Sequence, residues 1–262
     1  MTAASAPILD IQDLSMVFGG LKAIDQVSMH IKQGEICALI GPNGAGKTTI
    51  FNCVTGVYKP TEGSIFIQHE ERGKEEINGL KPNVINMKGL ARTFQNIRLF
   101  SNMSVLENVM IGRHNALKAG IFKAIIRDKA TREEEQRLID DSYGILKKMN
   151  LEMFVNETAR NLPYGAQRRL EMARALATDP FLLLLDEPVA GMNPHETKEL
   201  EETINLIRER EKVTILLIEH DMSLVMNVSE RIYVLDYGRL IAEGSPAEIK
   251  KNPDVIKAYL GE

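Results

Sequence analysis

The chain has very little cysteine: two residues in 262, Cys37 and Cys53. Two isolated thiols give neither a disulfide framework nor a metal-ligand pattern. Both lie in apolar surroundings and read as buried free thiols of a reducing compartment. Long apolar runs are absent too. The longest, such as "FLLLL" at 181–185, are strand-sized, far short of the roughly 20 residues that cross a bilayer. Any membrane role is therefore expected to come through partners. The opening "MTAASAPILDIQDL" has no basic start and no long apolar core, so no signal peptide is expected. Basic charge is not in excess: the net charge is −4, which argues against a nucleic-acid partner. There is no internal repeat and no low-complexity segment. What remains is 44% hydrophobic and 26% charged, the balance of a soluble globular protein with a real core.

Residues 8–18 partly alternate apolar and polar, which predicts a strand. "EICALI" (35–40) is a short apolar run entering a Gly-rich turn, as expected of a buried parallel strand. "KTTIFNCVTG" (47–56) reads as a helix stopped by Gly56, and "GSIFIQ" (63–68) as another strand. Residues 69–89 are polar and rich in Gly and Asn, which predicts an exposed loop with little regular structure. From 104 to 150 the pattern is helical, with the charges of "KATREEEQRLIDDSYGILKKM" on a solvated face. Within this block "KAGIFKAIIR" (118–127) mixes basic residues with an apolar stripe. Packing within the helical block is the favoured reading over a membrane surface. After Pro163 come a helix (164–177), the strand "FLLLLD", a helix near 194–210 and the strand "VTILLIEHD". A hairpin over 231–244 turns at Tyr237-Gly238, and short helices close the chain. Alternating strands and helices with a helical block in the middle predict an α/β fold with an inserted helical subdomain.

"GPNGAGKT" (41–48) matches the pattern G-x-x-x-x-G-K-[ST]. Backbone N–H groups of Gly41, Pro42's neighbours, Asn43, Gly44, Ala45 and Gly46 would surround the β- and γ-phosphates, and the following helix adds its dipole. Lys47 would reach the terminal phosphates. The Thr48 hydroxyl would ligate Mg²⁺, with Thr49 completing the turn. An apolar strand before the loop and a helix after it are the context this mechanism demands. "LLLLDE" (182–187) supplies a second half. Asp186 emerges at a strand's C-terminal end, where open α/β sheets bind ligands, and would hold Mg²⁺. Glu187 is placed to polarise an attacking water. Alone, an apolar strand ending in acid is weak; beside the phosphate loop it is strong. His30, His69, His114 and His195 show no ligand spacing and read as ordinary surface or loop residues.

With these motifs the chain resembles the ATP-binding-cassette (ABC) ATPases over nearly its whole length. The resemblance implies a P-loop NTPase (RecA-like) core with an antiparallel β subdomain, spanning about 1–95 and 163–262, and a helical insertion at about 96–162. It implies that Phe18 stacks on adenine. It makes Gln95, in "RTFQNIRLF", a residue that touches Mg²⁺ and the lytic water and senses the transmembrane partner. "LPYGAQRRLEMARAL" holds the signature position with Gly165, "EPVAGMN" is the D-loop, and His220 is the γ-phosphate sensor. ATP and Mg²⁺ are the implied ligands.

Finer wording is similar to one branch, the LivG-type subunits of branched-chain amino acid importers. "RTFQNIRLFSNMSVLENVMIGRH", "LLIEHDMSLVM" and the tail "NPDVIKAYLGE" carry this likeness. The implied partners are a second, non-identical ATPase subunit (LivF-type) and two membrane proteins (LivH- and LivM-type). A substrate-binding protein outside the cytoplasm acts indirectly. The implied place is the cytoplasmic face of the membrane. Another ABC transporter, for lipopolysaccharide export or urea and amide uptake, is the alternative. The chain departs from the family's Leu-Ser-Gly-Gly-Gln signature with Leu162, Pro163, Tyr164, Gly165 and Ala166, and Asn193 stands where the D-loop usually has aspartate. Both departures fall on surfaces offered to the other subunit, so the resemblance implies an asymmetric pair.

Overall fold

A computed structural model describes residues 6–69, 73–113 and 129–260. The apolar stripe at 118–127 lies outside the described residues, as does His114. Two sheets carry the fold. The first is antiparallel, in the order β2-β1-β4-β5. Its strands are β1 (Leu9–Phe18), β2 (Leu21–Ile31), β4 (Glu62–His69) and β5 (Gly73–Glu76). β1 and β2 form a hairpin across Gly19-Gly20, both with positive φ (51° and 95°), which is the backbone a tight two-residue turn requires.

The second sheet has the order β10-β9-β3-β8-β7-β6. Its parallel strands are β3 (Ile36–Ile40), β6 (Leu90–Arg92), β7 (Leu182–Asp186), β8 (Thr214–Ile218) and β9 (Arg231–Asp236). β10 (Arg239–Gly244) pairs antiparallel at the edge. β3, β7 and β8 are buried along their whole length. Leu182 and Leu184 face one core, against the antiparallel sheet and helix α1 (Lys47–Val54). Leu183 and Leu185 face another. Each such leucine contributes roughly 1.5–3 kcal/mol by leaving water. That two-sided burial is why these strands read as unbroken apolar runs.

The second core holds the helices α3 (Val105–Arg113), α4 (Lys129–Lys148), α5 (Tyr164–Leu176) and α6 (Pro194–Glu211). Val105, Val109 and Leu146 share it with Leu170, Leu200 and the sheet residues Ile215 and Leu217, so the helical block packs onto the same sheet. A smaller core joins α7 (Met222–Val228), β9 and the tail helices α8 (Pro246–Ile249) and α9 (Pro253–Leu260).

Three expectations need correction. Residues 69–89 are not a plain loop. They hold the edge strand β5 and helix α2 (Pro82–Met87), which Pro82 starts at its first turn. The strand of "VTILLIEHD" ends at Ile218, so His220 sits in the loop beyond it. His30 is not a surface or loop residue: it lies half-buried in β2, with Nε2 2.8 Å from Arg231 Nη1. His69, at the end of β4, sets its ring edge-on to Phe181 at 5.5 Å.

Asn193 caps α6. Its side chain accepts from the N–H groups of His195 and Glu196, and Glu196 returns a bond to the Asn193 N–H. Asn193→Ala should lower stability by about 1 kcal/mol in urea unfolding, while Asn193→Asp, which can still cap, should cost little. Equal losses from both would show that the cap is not what Asn193 contributes.

Candidate functional site

The loops that follow β3, β6, β7 and β8 leave the same edge of the sheet, the C-terminal edge of the parallel strands. The phosphate loop runs from Gly41, directly after β3, into α1. Gly41, Gly44 and Gly46 have φ of 149°, 82° and 106°, a conformation L side chains rarely adopt. A Cβ on Gly41 would meet the Leu235 carbonyl oxygen at 2.0 Å, and one on Gly46 would meet Ile24 at 2.5 Å. No atom lies within 4 Å of the corresponding point at Gly44. The loop is therefore packed against β9 of its own sheet and β2 of the antiparallel sheet, and open at Gly44. Lys47 is buried within it and donates to the carbonyls of Gly41 (2.7 Å) and Pro42 (3.0 Å). Burial pulls its pKa down, opposed by the carboxylates of Glu187 and Asp186. Thr48 is exposed in the first turn of α1 and Thr49 is half-buried. Asn43 is exposed and Ala45 is buried.

Glu187 follows β7 with φ of 49°. A left-handed backbone at a non-glycine residue costs about 1–3 kcal/mol and persists only where the surroundings enforce it. The enforcing contact is its N–H, which bonds the Ile218 carbonyl at 2.9 Å. The side chain accepts from Gln95 Nε2 at 2.7 Å, and His220 Nδ1 lies 3.9 Å from the same carboxylate oxygen. Lys47, Gln95, Asp186, Glu187 and His220 thus gather at one edge. Phe18 stands at the end of β1, partly exposed, edge-on to Tyr58 at 5.2 Å. Thr48, Asp186 and Gln95 offer a hydroxyl, a carboxylate and an amide oxygen, the hard oxygen donors that suit Mg²⁺. The amide of Gln95 spends its nitrogen on Glu187 and keeps its oxygen.

Comparison with known proteins gives the family. The family model described as "ABC transporter" matches residues 24–190, and that of the "Branched-chain amino acid ATP-binding cassette transporter" matches 239–262. The chain is 49% identical over 258 residues to the high-affinity branched-chain amino acid transport ATP-binding protein LivG of Salmonella typhimurium, covering 98% of this chain and 99% of that one. It is 46% identical, with the same coverage, to BraF of Pseudomonas aeruginosa, which has the corresponding name. The chain belongs to the ABC transporter ATP-binding proteins. Its branch is the LivG type. The fold agrees: the ADP conformation of MJ1267, an ATP-binding cassette of an ABC transporter, matches with a TM-score of 0.83 at 30% identity, covering 98% of this chain and all of that one.

Beside the motif residues this ABC cassette holds two that the sequence reading passed over. Arg92 ends β6 and bonds Asp186 at 2.7 Å, with both side chains buried. It also reaches Asn52 of α1 and Thr55, the residue that caps its C-terminus. Glu219 is fully buried. It accepts from Val189 N–H (3.0 Å) in the D-loop and from the N–H groups of His220 (2.8 Å) and Asp221 (3.1 Å). Both residues stand inside the quoted motifs "RTFQNIRLF" and "LLIEHD", but nothing in those stretches shows their partners, which folding brings from other segments.

The signature stretch has its own geometry. Pro163 is not inside the helix but is its N-cap, and the first intrahelical bond runs from Gln167 N–H to the Pro163 carbonyl. The N–H groups of Tyr164, Gly165 and Ala166 are thus those of a free first turn. Gly165 does permit a close approach, but within this chain the neighbour is Glu196: a Cβ would meet its Oε1 at 2.8 Å.

Arg92→Ala would leave Asp186 buried without its charge partner. It should cost about 3–5 kcal/mol of stability, measured by chemical denaturation. A loss below about 1 kcal/mol would show that water, not Arg92, balances Asp186.

Proposed function

We propose that this chain is the ATP-hydrolysing subunit of an importer for branched-chain amino acids, docked on the cytoplasmic face of the membrane and paired with a second, non-identical ATPase. The observation that carries the chemistry is the meeting of Lys47, Gln95, Asp186, Glu187 and His220 at one sheet edge. The observation that carries the substrate class is near-full-length likeness to transport subunits named for those amino acids.

Hydrolysis needs a water oxygen to bond the γ-phosphorus while the bond from that phosphorus to the β–γ bridging oxygen breaks. ADP leaves with the electron pair. There is little covalent work for the protein, so positioning and charge dominate. The open face of the phosphate loop and the start of α1 receive the phosphates, and Lys47 turns from loop carbonyls to the terminal phosphates. Glu187, left-handed and held by Gln95, orients the water and takes up its proton. His220 stands 3.9 Å from the same Glu187 oxygen, ready to meet the γ-phosphate. Thr48, Asp186 and Gln95 would hold Mg²⁺, which supplies positive charge against the phosphates. Phe18 offers a ring face to adenine.

No described helix is long and apolar enough to cross a membrane, so coupling to transport has to pass through contact. A cleft of about 540 Å³ beside Gln95's loop, lined by Arg98, Leu99, Phe100, Ile111 and Arg174, supports docking of a membrane subunit there. Phe100 and Ile111 are exposed apolar residues in it. The signature Pro163 lacks an N–H and a hydroxyl for the partner's ATP, a bond to a charged group worth about 1.5–3 kcal/mol. The site on this chain's own loop is the competent one of the pair if the partner's signature is intact.

Glu187→Gln should abolish ATP turnover while ATP binding persists; unchanged turnover would remove Glu187 from the role of base. Pro163→Ser should raise turnover in the assembled transporter and not in the isolated chain. An equal rise in both, or none in the complex, would contradict the asymmetry.

A further inference from the structure

Tyr164 stands where the usual signature has a glycine, and it looks at first like simple loss. Its surroundings say otherwise. The Tyr164 hydroxyl donates to the Ala190 carbonyl at 2.9 Å, and its ring lies against Gly191. Both belong to the D-loop. The same hydroxyl accepts from Arg168 Nη2 at 3.1 Å, one helical turn along α5. Arg168 is buried, and its guanidinium spans the loop after β6: Nη1 donates to the Phe94 carbonyl at 2.9 Å and Nη2 to the Gln95 carbonyl. Glu171, 3.5 Å from Arg168, accepts from the Arg98 N–H of that loop. Gln95 in turn donates from its side chain to Glu187, and the Ala190 N–H bonds back to the Glu187 carbonyl at 3.2 Å. The path closes on itself: Glu187, Ala190, Tyr164, Arg168, Gln95, Glu187.

We propose that Tyr164 and Arg168 are positioning residues that fasten the D-loop, the start of α5 and the Gln95 loop into one unit, so that the setting of Gln95 on Glu187 depends on both. The inference rests on the reading of Glu187 as the base. A glycine at 164 has no hydroxyl to bridge Ala190 and Arg168. A lysine at 168 has charge but no planar fork to hold two carbonyls at once. The loop that faces the membrane-subunit cleft therefore shares a rigid connection with the helix offered to the other ATPase. A push on the Gln95 loop is felt at Glu187 and at the signature helix together.

The test is a double-mutant cycle on the full-length chain, reading kcat for ATP and the Kd of ATP. Tyr164→Phe keeps the ring and removes only the hydroxyl. It should lower kcat about five- to tenfold, the scale of one or two hydrogen bonds, with Kd unchanged within about twofold. In a Gln95→Ala background Tyr164→Phe should change kcat by less than about twofold, because the link it supports is already cut. Should Tyr164→Phe lower the melting temperature enough to obscure kcat, Arg168→Lys serves in its place, with the same expected loss and the same masking. Multiplying effects in the double variant, or a loss in Kd rather than kcat, would overturn the proposal. Glu187→Gln is run alongside. If it retains wild-type turnover, the reading of the base fails; if it is inactive and the cycle is multiplicative, only the connection fails.

Discussion

One residue's backbone sets the geometry on which the site depends. Glu187 follows a strand buried on both faces, and there the chain has to turn at once to leave the sheet. It does so in a left-handed conformation, φ 49°, which an L residue adopts only at a cost. A bond from its N–H to the end of β8 holds it there. The turn ties β7 and β8 at the point where each stops and brings the side chain between Gln95 and His220. A residue continuing the strand would alternate to the opposite face. The cost in backbone strain thus fixes a carboxylate in the crevice at the strand ends.

Around that point buried charges do the ordering that loops alone cannot. Arg92 balances Asp186 and reaches α1, so the phosphate-loop helix, β6 and β7 share one ion pair. Glu219 ties the D-loop to the His220 loop through three N–H donors. Arg168 holds the Gln95 loop by its carbonyls. Each of these charges lies on a regular element or directly beyond one; Glu219 and Arg168 satisfy the backbone of a loop, and Arg92 joins side chains across elements. That division explains why the loops can carry chemistry while lacking cores of their own.

Much of this was legible in the sequence, and the misses have physical reasons. β3, β7 and β8 could be read because strands buried on both faces are written as apolar runs. β2 was missed although Gly19-Gly20 is a hairpin signal, because "LKAIDQVSMHI" is only partly apolar. β5 is a glycine and three charged residues at a sheet edge, and α2 is too short for a helical period to register. The motif residues could be found from their types and order. Arg92 and Glu219 could not, because their meaning comes from pairing between distant segments: Arg92 meets Asp186 only because β6 lies parallel to β7 with Arg92 opposite Leu184. Tyr164 stood only as a departure from the signature for the same reason, since Ala190 and Arg168 become its neighbours only on folding.

In the proposed pairing the positions that depart from the usual ABC pattern, Pro163, Tyr164, Ala166 and Asn193, are offered to another subunit, while Lys47, Gln95, Asp186, Glu187 and His220 gather at the chain's own sheet edge. In the proposed assembly the chain is one of two unlike ATPase subunits serving separate membrane proteins. Purification of the transporter from membranes through this chain, with identification and stoichiometry of the bound subunits, tests that account most directly. The account predicts one copy of this chain, one of a different ATPase, and two different membrane proteins of branched-chain amino acid uptake. Two copies of this chain on lipopolysaccharide-export components would contradict it.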